Sequence, residues 1–293
     1  MRQMYRLLLG AILAMMLPLG LSYGNVSNYQ FLDTYGDQIS PEGKPTEILS
    51  VGADDEVTGF TPSVAKGEPA FTFYFDNKPY TRFSVSSNGL VGFGSADITS
   101  SFSNSLGNPT VPHVAPFWND LRVPGDDPDD SYSGSVSYFL NGTAPNRVLV
   151  IDFQSIEISY YDYVYGSFQV RLYENSNRVE FWYGDMETYS YVYGYDVSTS
   201  ASIGIATGTK DFISVTPGEG EGGGSKSYSG AGFLGITGAT SSTSVINNSI
   251  FLTSNPIYYG TLYVFNPCNI QISGNPLQGG TTAMASGDKL LSD

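Results

Sequence analysis

Four carboxylates occupy five consecutive positions at Asp126, Asp127, Asp129 and Asp130, inside the run Gly125-Asp-Asp-Pro-Asp-Asp130. Calcium takes roughly six to eight hard oxygen ligands, and this run could supply several of them. The spacing departs from an Asp-x-Asp-x-Asp-Gly loop, and Pro128 fixes the backbone between the two pairs, so a solvated acidic loop is the competing reading. Just upstream, Ala115-Pro-Phe-Trp-Asn-Asp-Leu121 puts two large aromatics beside an amide and a carboxylate. Phe117 and Trp118 would plug a core while Asn119 or Asp120 bonds backbone amides at a turn. Alternatively, Asp120 helps bind a cation or ligand. Tyr160, Tyr161, Tyr163 and Tyr165, then Tyr189, Tyr191, Tyr193 and Tyr195, include sets with a period of two whose members would share a strand face. Such rows stack on sugar rings or anchor a protein partner, and they also cover sheet surfaces with no ligand at all. The candidate ligand-binding residues are therefore Tyr161, Tyr163, Tyr191, Tyr193 and Asp120. The candidate calcium residues are Asp126, Asp127, Asp129 and Asp130.

Other chemistries find little support. One His and one Cys cannot build a multi-His or multi-Cys zinc site or a disulfide framework. His113 lies in Val-Pro-His-Val-Ala-Pro116 without a Gly-x-Ser-x-Gly elbow anywhere in the chain. Gly218-Glu-Gly-Glu-Gly-Gly223 fits a dinucleotide fingerprint by letters only, because no helix follows and its glutamates would repel a pyrophosphate. Asp152 with Glu157, or Glu180 with Asp185, would serve glycoside hydrolysis only at a suitable separation, and each reads first as an ordinary strand or turn residue. Asn25, Asn141 and Asn247 each open an Asn-x-Ser/Thr triplet. No catalytic residue and no enzyme activity are expected.

The chain has 293 residues, with 28 acidic against 13 basic side chains and a net charge of −15. Charge this sparse and acidic argues against nucleic acid as a partner, since phosphate contacts need clustered Lys and Arg. Residues 1–24 read as a secretory signal: Arg2 and Arg6, the apolar run Leu7 to Leu21, then Ser22-Tyr23-Gly24 with small residues at the inspected positions. The run is about 15 residues against the ~20 a spanning helix needs, which favours cleavage after Gly24 over an uncleaved anchor. Losing Arg2 and Arg6 with the leader takes the net charge from −15 to −17. No later stretch approaches membrane length, so the mature chain is expected to be secreted or held at the cell surface, with no transmembrane segment.

The elements that must position these residues are strands. Alternation with a period of two dominates, and no amphipathic helix is legible between Asn25 and Phe265. Phe71, Phe73 and Phe75 share one strand face, Asp76-Asn77-Lys78-Pro79 supplies turn chemistry, and Asn88-Gly89 is a hairpin signal because both residue types tolerate positive φ. Further strands read at Ser135–Leu140, Val148–Phe153, Phe168–Tyr173, Val179–Tyr183, Ser202–Ala206, Val245–Leu252 and Tyr258–Phe265, with Glu174 to Asn177 as a tight hairpin. Gly94–Gly134, Tyr160–Tyr165 and Pro217–Gly232 interrupt this rhythm as loops. The expectation is an all-β chain, one antiparallel β-sandwich of jelly-roll-like character with long loops over residues 25–266, followed by a flexible tail or linker over residues 267–293.

The ordered series Phe71-Thr-Phe-Tyr-Phe75, Tyr80 to Gly94, Ala115 to Leu121, Ser135 to Tyr138, Asn146 to Phe153, Phe168 to Tyr173 and Arg178 to Asp185 resembles the nidogen-type extracellular domain over roughly residues 60 to 215. It is also similar to the related region of secreted bacterial surface proteins. The resemblance implies an extracellular β-rich module of adhesive or matrix proteins, with no catalytic residues to carry over. This chain lacks the paired cysteines of the animal members, which favours a bacterial surface origin. The expected function is adhesion or recognition of an extracellular glycan or protein, with a ligand-free structural spacer as the alternative.

Overall fold

The computed structural model describes residues 26, 29–125, 133–158, 164–186, 189–190, 195–196, 201–208, 211–218, 227–237 and 257–267. Strands β1 (Tyr29–Tyr35), β2 (Thr46–Leu49), β3 (Val57–Phe60), β4 (Phe73–Phe75), β5 (Lys78–Tyr80), β6 (Phe83–Ser86), β7 (Leu90–Phe93), β8 (His113–Trp118) and β9 (Leu121–Arg122) form the first half. The second half contains β10 (Ser135–Asn141), β11 (Val148–Ile158), β12 (Tyr165–Tyr173), β13 (Val179–Met186), β14 (Tyr189–Ser190), β15 (Tyr195–Asp196), β16 (Ser202–Gly208), β17 (Asp211–Gly218), β18 (Ser227–Thr237) and β19 (Thr261–Pro267).

These strands form an all-β sandwich. The larger sheet runs β1-β19-β13-β12-β11-β10-β2, with β9 added against β11, and the facing sheet runs β18-β17-β16-β8-β7-β6-β3. β4–β5 and β14–β15 are separate two-stranded pairs. The core lies between the sheets: Phe117 of β8 meets Phe168 of β12 at 6.2 Å between ring centroids, and Phe168 stacks on Phe153 of β11 at 4.6 Å. Burying such aromatics on both inner faces is the main driving force, at about 25 cal/mol per Å² of apolar surface.

Turn chemistry decides the hairpins. Asp76 and Asn77 have φ of 52° and 59°, the double positive φ of a two-residue hairpin turn, and they join β4 to β5. At Asn88-Gly89 only the glycine has positive φ, at 76°, and Ser86 pairs with Leu90 across a three-residue loop. A hairpin is present there as expected, but it uses the longer loop with glycine in the left-handed position. Asn177, with φ 54°, closes the turn from β12 to β13.

Two expected loops contain strands. β8 lies within Gly94–Gly134, and all six of its residues are buried, so no alternation marks it. Pro116 falls where Ser202 pairs with Trp118 but Gly204 pairs with Ala115, an irregular register that accommodates a residue without an N–H. β17 extends into Pro217-Gly218 and β18 covers Ser227 to Gly232, so both flanks of the Gly-rich stretch are paired strand. The strand expected at Val245–Leu252 and the tail beyond Pro267 lie outside the described residues, as do residues 1–24.

Candidate functional site

Three segments converge where the β6–β7 turn meets the end of β8. The turn supplies Asn88, which is fully buried and bonded to all three segments. Its Nδ2 donates to Asp55 Oδ1 at 2.7 Å and to the Ser100 carbonyl at 2.6 Å, while its Oδ1 accepts the Leu121 N–H at 2.8 Å. The neighbouring Gly89 is compulsory, since a Cβ there would lie 2.2 Å from the Phe117 carbonyl oxygen. Asn119 Oδ1 accepts the Asp120 N–H at 2.8 Å, the turn-forming role expected of a short amide. Phe117 and Trp118 are both buried, with Trp118 Nε1 donating to the Ser101 carbonyl at 2.8 Å.

The preceding segment is fixed at both ends. The Gly52 N–H donates to Val123 O at 2.8 Å and the Val123 N–H to Ala53 O at 3.0 Å; further on, the Ser87 N–H donates to Glu56 O at 2.9 Å. Asp54 also bridges Arg122 backbone to backbone. Asp54 and Asp55 are thereby brought to Asp120, and one carboxylate oxygen from each lies within 4.8 Å of the others. Asp54 and Asp120 are half-buried and Asp55 is exposed. Burial pushes the Asp120 carboxyl above its ordinary value, and the charges of Asp54 and Asp55 push it further. Three hard oxygens this close could be bridged by a divalent cation, with water completing the shell. The Arg122 guanidinium forms an ion pair with Glu157 at 2.6 Å.

The sequence pattern of the NIDO-related family matches residues 28–249. The chain belongs to the NIDO-related family. Curated proteins and solved structures give no match to it. Family membership identifies an extracellular module. No helix among the described residues of this NIDO-related chain is long and apolar enough to cross a membrane.

Of the residues expected to bind a ligand, Asp120 is placed by the structure, in company the sequence did not indicate. Asp54 and Asp55 were missed because only the long-range backbone pairing to Arg122 and Val123 brings them there. Tyr161, Tyr163, Tyr191 and Tyr193 lie outside the described residues, and so do Asp126, Asp127, Asp129 and Asp130. Tyr165 begins β12 and is buried, so the last member of that row belongs to the interior. His113 is buried, with Nδ1 2.8 Å from the Val111 carbonyl, and burial pulls its pKa down to about 4. Three of the four carboxylates considered for hydrolysis are bonded elsewhere, Glu157 to Arg122, Asp152 to Gln154 and Gln169, and Glu180 to Arg171, Arg178 and Tyr173, while Asp185 is exposed on β13. The side-chain amide of Asn141 bonds the Ser40 carbonyl and the Glu42 N–H, so the folded chain withholds that triplet from modification.

Proposed function

We propose that the chain is a secreted recognition module, delivered by cleavage after Gly24, that acts in adhesion by binding an extracellular glycan or protein and catalyses no reaction. The observation that supports this reading is the corner where β1 meets the turn before β19. Tyr35, Tyr258 and Tyr259 are 61%, 49% and 63% exposed there, and Leu32 on the same strand is 52% exposed. The corner is internally organised: the Gly36 N–H donates to Gly260 O at 2.9 Å, and the Tyr259 ring packs edge-on against Trp182 at 5.6 Å. Tyrosines carry apolar area and a hydroxyl with few rotatable bonds, which suits them to contact a sugar ring or a protein surface.

The test is a binding panel of the mature chain against polysaccharides and matrix proteins, each in calcium and in chelator. Saturable binding is expected for at least one class, and Tyr35→Ala with Tyr258→Ala, which spares the Tyr259 ring against Trp182, should abolish it without changing the melting temperature. Loss of binding in chelator would assign calcium to the Asp54, Asp55 and Asp120 junction or to the Asp126–Asp130 run. Silence across the panel in both buffers would favour the spacer reading.

A further inference from the structure

β1 and β2 are opposite edges of the larger sheet, and residues 36–45 join them. Seven strands in a row span about 29 Å at ~4.8 Å per gap, while the joining residues reach about 35 Å when fully extended. The segment must therefore cross the sheet nearly straight, and its hydrogen bonds trace that path. On β13, Trp182 Nε1 donates to the Gly36 carbonyl at 2.8 Å. On β12, Arg171 Nη2 donates to the Asp37 carbonyl at 2.6 Å. Gln169 pairs both backbone groups of one residue, accepting the Ile39 N–H at 3.1 Å and donating to the Ile39 carbonyl at 2.9 Å. On β10, Asn141 donates to the Ser40 carbonyl at 2.8 Å and accepts the Glu42 N–H at 3.0 Å.

The sheet thus reads the backbone of this segment and almost none of its side chains. Gly36-Asp-Gln-Ile-Ser-Pro-Glu-Gly-Lys-Pro45 contains a single large apolar residue, Ile39, and that residue is only half-buried. Beneath it lies a buried polar layer that a solvated sheet face would leave in water: Asp152, Gln169, Arg171 and Glu180. Arg171 Nε donates to Gln169 Oε1 at 3.2 Å, and its guanidinium lies 5.8 Å over the Trp182 ring. A segment held by hydrogen bonds with little apolar burial opens locally at lower free energy than the sheet beneath it.

We propose that residues 36–45 are a releasable strap, and that the row it covers, Trp182, Arg171, Gln169 and Asn141, is a docking face for an extended polypeptide segment of a partner, held through its backbone in the strap's place. The strap is itself an extended peptide on that face, which is why a peptide is favoured over a glycan. Gln169 and Asn141 each offer one donor and one acceptor to main-chain groups, as a neighbouring strand would. A sugar presents hydroxyls without that alternation. This face adjoins the Tyr35–Tyr259 corner, sharing Trp182 and Gly36 with it, and extends from there across β12 to β10, beyond the recognition role assigned to the corner.

The experiment uses the full chain and a fluorescent peptide with the sequence of residues 36–45. In native-state amide exchange, the Ile39 and Glu42 amides should exchange at least about 100-fold faster than those of Val170 and Leu172. Ile39→Pro removes a strap donor and leaves the face intact, so it should bind the peptide at least about tenfold more tightly than wild type, whose own strap competes at millimolar effective concentration. Adding Gln169→Ala and Asn141→Ala should remove that binding. Strap amides as protected as those of β12 would overturn the proposal, even if Ile39→Pro failed to fold. So would a natively folded Ile39→Pro that does not bind the peptide, peptide binding that survives loss of both amides, or capture of oligosaccharides in place of the peptide.

Discussion

Arg147 and Asp120 are both charged groups drawn out of water, and their surroundings are opposite. Arg147 is 1% exposed, and its guanidinium forks onto Glu174, with Nε 2.8 Å from Oε2 and Nη2 closing the second bond. The remaining donors reach the Pro69 carbonyl at 2.9 Å and the Ala70 carbonyl at 3.2 Å, and the plane lies 5.7 Å over Phe71. Asp120 instead meets two further carboxylates in a half-exposed junction. The first arrangement completes the fold, because a buried charge with a matched partner and satisfied donors fixes where Pro69 to Phe71 enter the core. In the second, Asn88 Nδ2 donates to Asp55 at 2.7 Å, and the backbone pairing on either side sets the geometry of the three carboxylates.

The largest effect should come from breaking the compensated side. Arg147→Ala is expected to cost about 3–5 kcal/mol, since it strands Glu174 and two carbonyls, and a denaturant melt will measure it. Arg147→Lys should recover only part of that loss, because one ammonium cannot reproduce the fork. Full recovery by lysine would show that charge alone holds the segment.

His113 sharpens the contrast as a buried group with no charge at neutral pH. Its folded-state pKa of about 4 lies below the ordinary 6.5, so the stability it contributes is present above pH 6.5 and is lost as pH falls toward 4. The loss should be of order 3 kcal/mol across that window. Measured as the difference between wild type and His113→Asn, the slope should appear in wild type alone. Equal slopes in both proteins would mean that other groups set the acid limit.

Asn88→Ala tests the scaffold that imposes the carboxylate junction. It leaves the Leu121 N–H and the Ser100 carbonyl without their bonds to the amide, and removes the bond that orients Asp55. About 2 kcal/mol of destabilisation is expected, with a weakened response of the melting temperature to calcium.

The contrast between these regions also explains what could be read beforehand. Strands with one face toward the core showed their alternation, and β10, β11, β12 and β13 fall where Ser135, Val148, Phe168 and Val179 announced them. β8 is buried throughout and carries Pro116, so neither alternation nor composition marked it. β17 and β18 pair through their backbones, so glycine did not mark their boundary: Gly218 and Gly232, both read as loop residues, lie in paired strand. The site was half legible for a related reason. Asp120 stood out because local turn chemistry surrounds it, whereas Asp54 and Asp55 become its neighbours only through long-range register. The strap was illegible, because its partners Gln169, Arg171 and Asn141 look like ordinary outward-facing strand residues until the crossing from β1 to β2 is known.

The smallest expected effect decides what the carboxylate junction is for. Asp120's carboxyl titrates above its ordinary value, so its contribution to stability is present in acid and is lost as pH rises through that raised value. At neutral pH the ionised group therefore opposes folding slightly, by well under about 1 kcal/mol once solvent screening of a half-exposed site is allowed for. Asp120→Asn should accordingly melt at or just above wild type in chelator, and the difference should vanish in acid. In millimolar calcium the order should reverse, because a cation that binds only the folded junction stabilises the protein that keeps all three carboxylates. If Asp120→Asn melts below wild type in chelator, the carboxylate is already compensated within the chain, and its difference from Arg147 is one of degree. If the order does not reverse in calcium, the junction is a structural turn whose charges repel weakly in water, and recognition must be sought at the Tyr35–Tyr259 corner and beneath the strap.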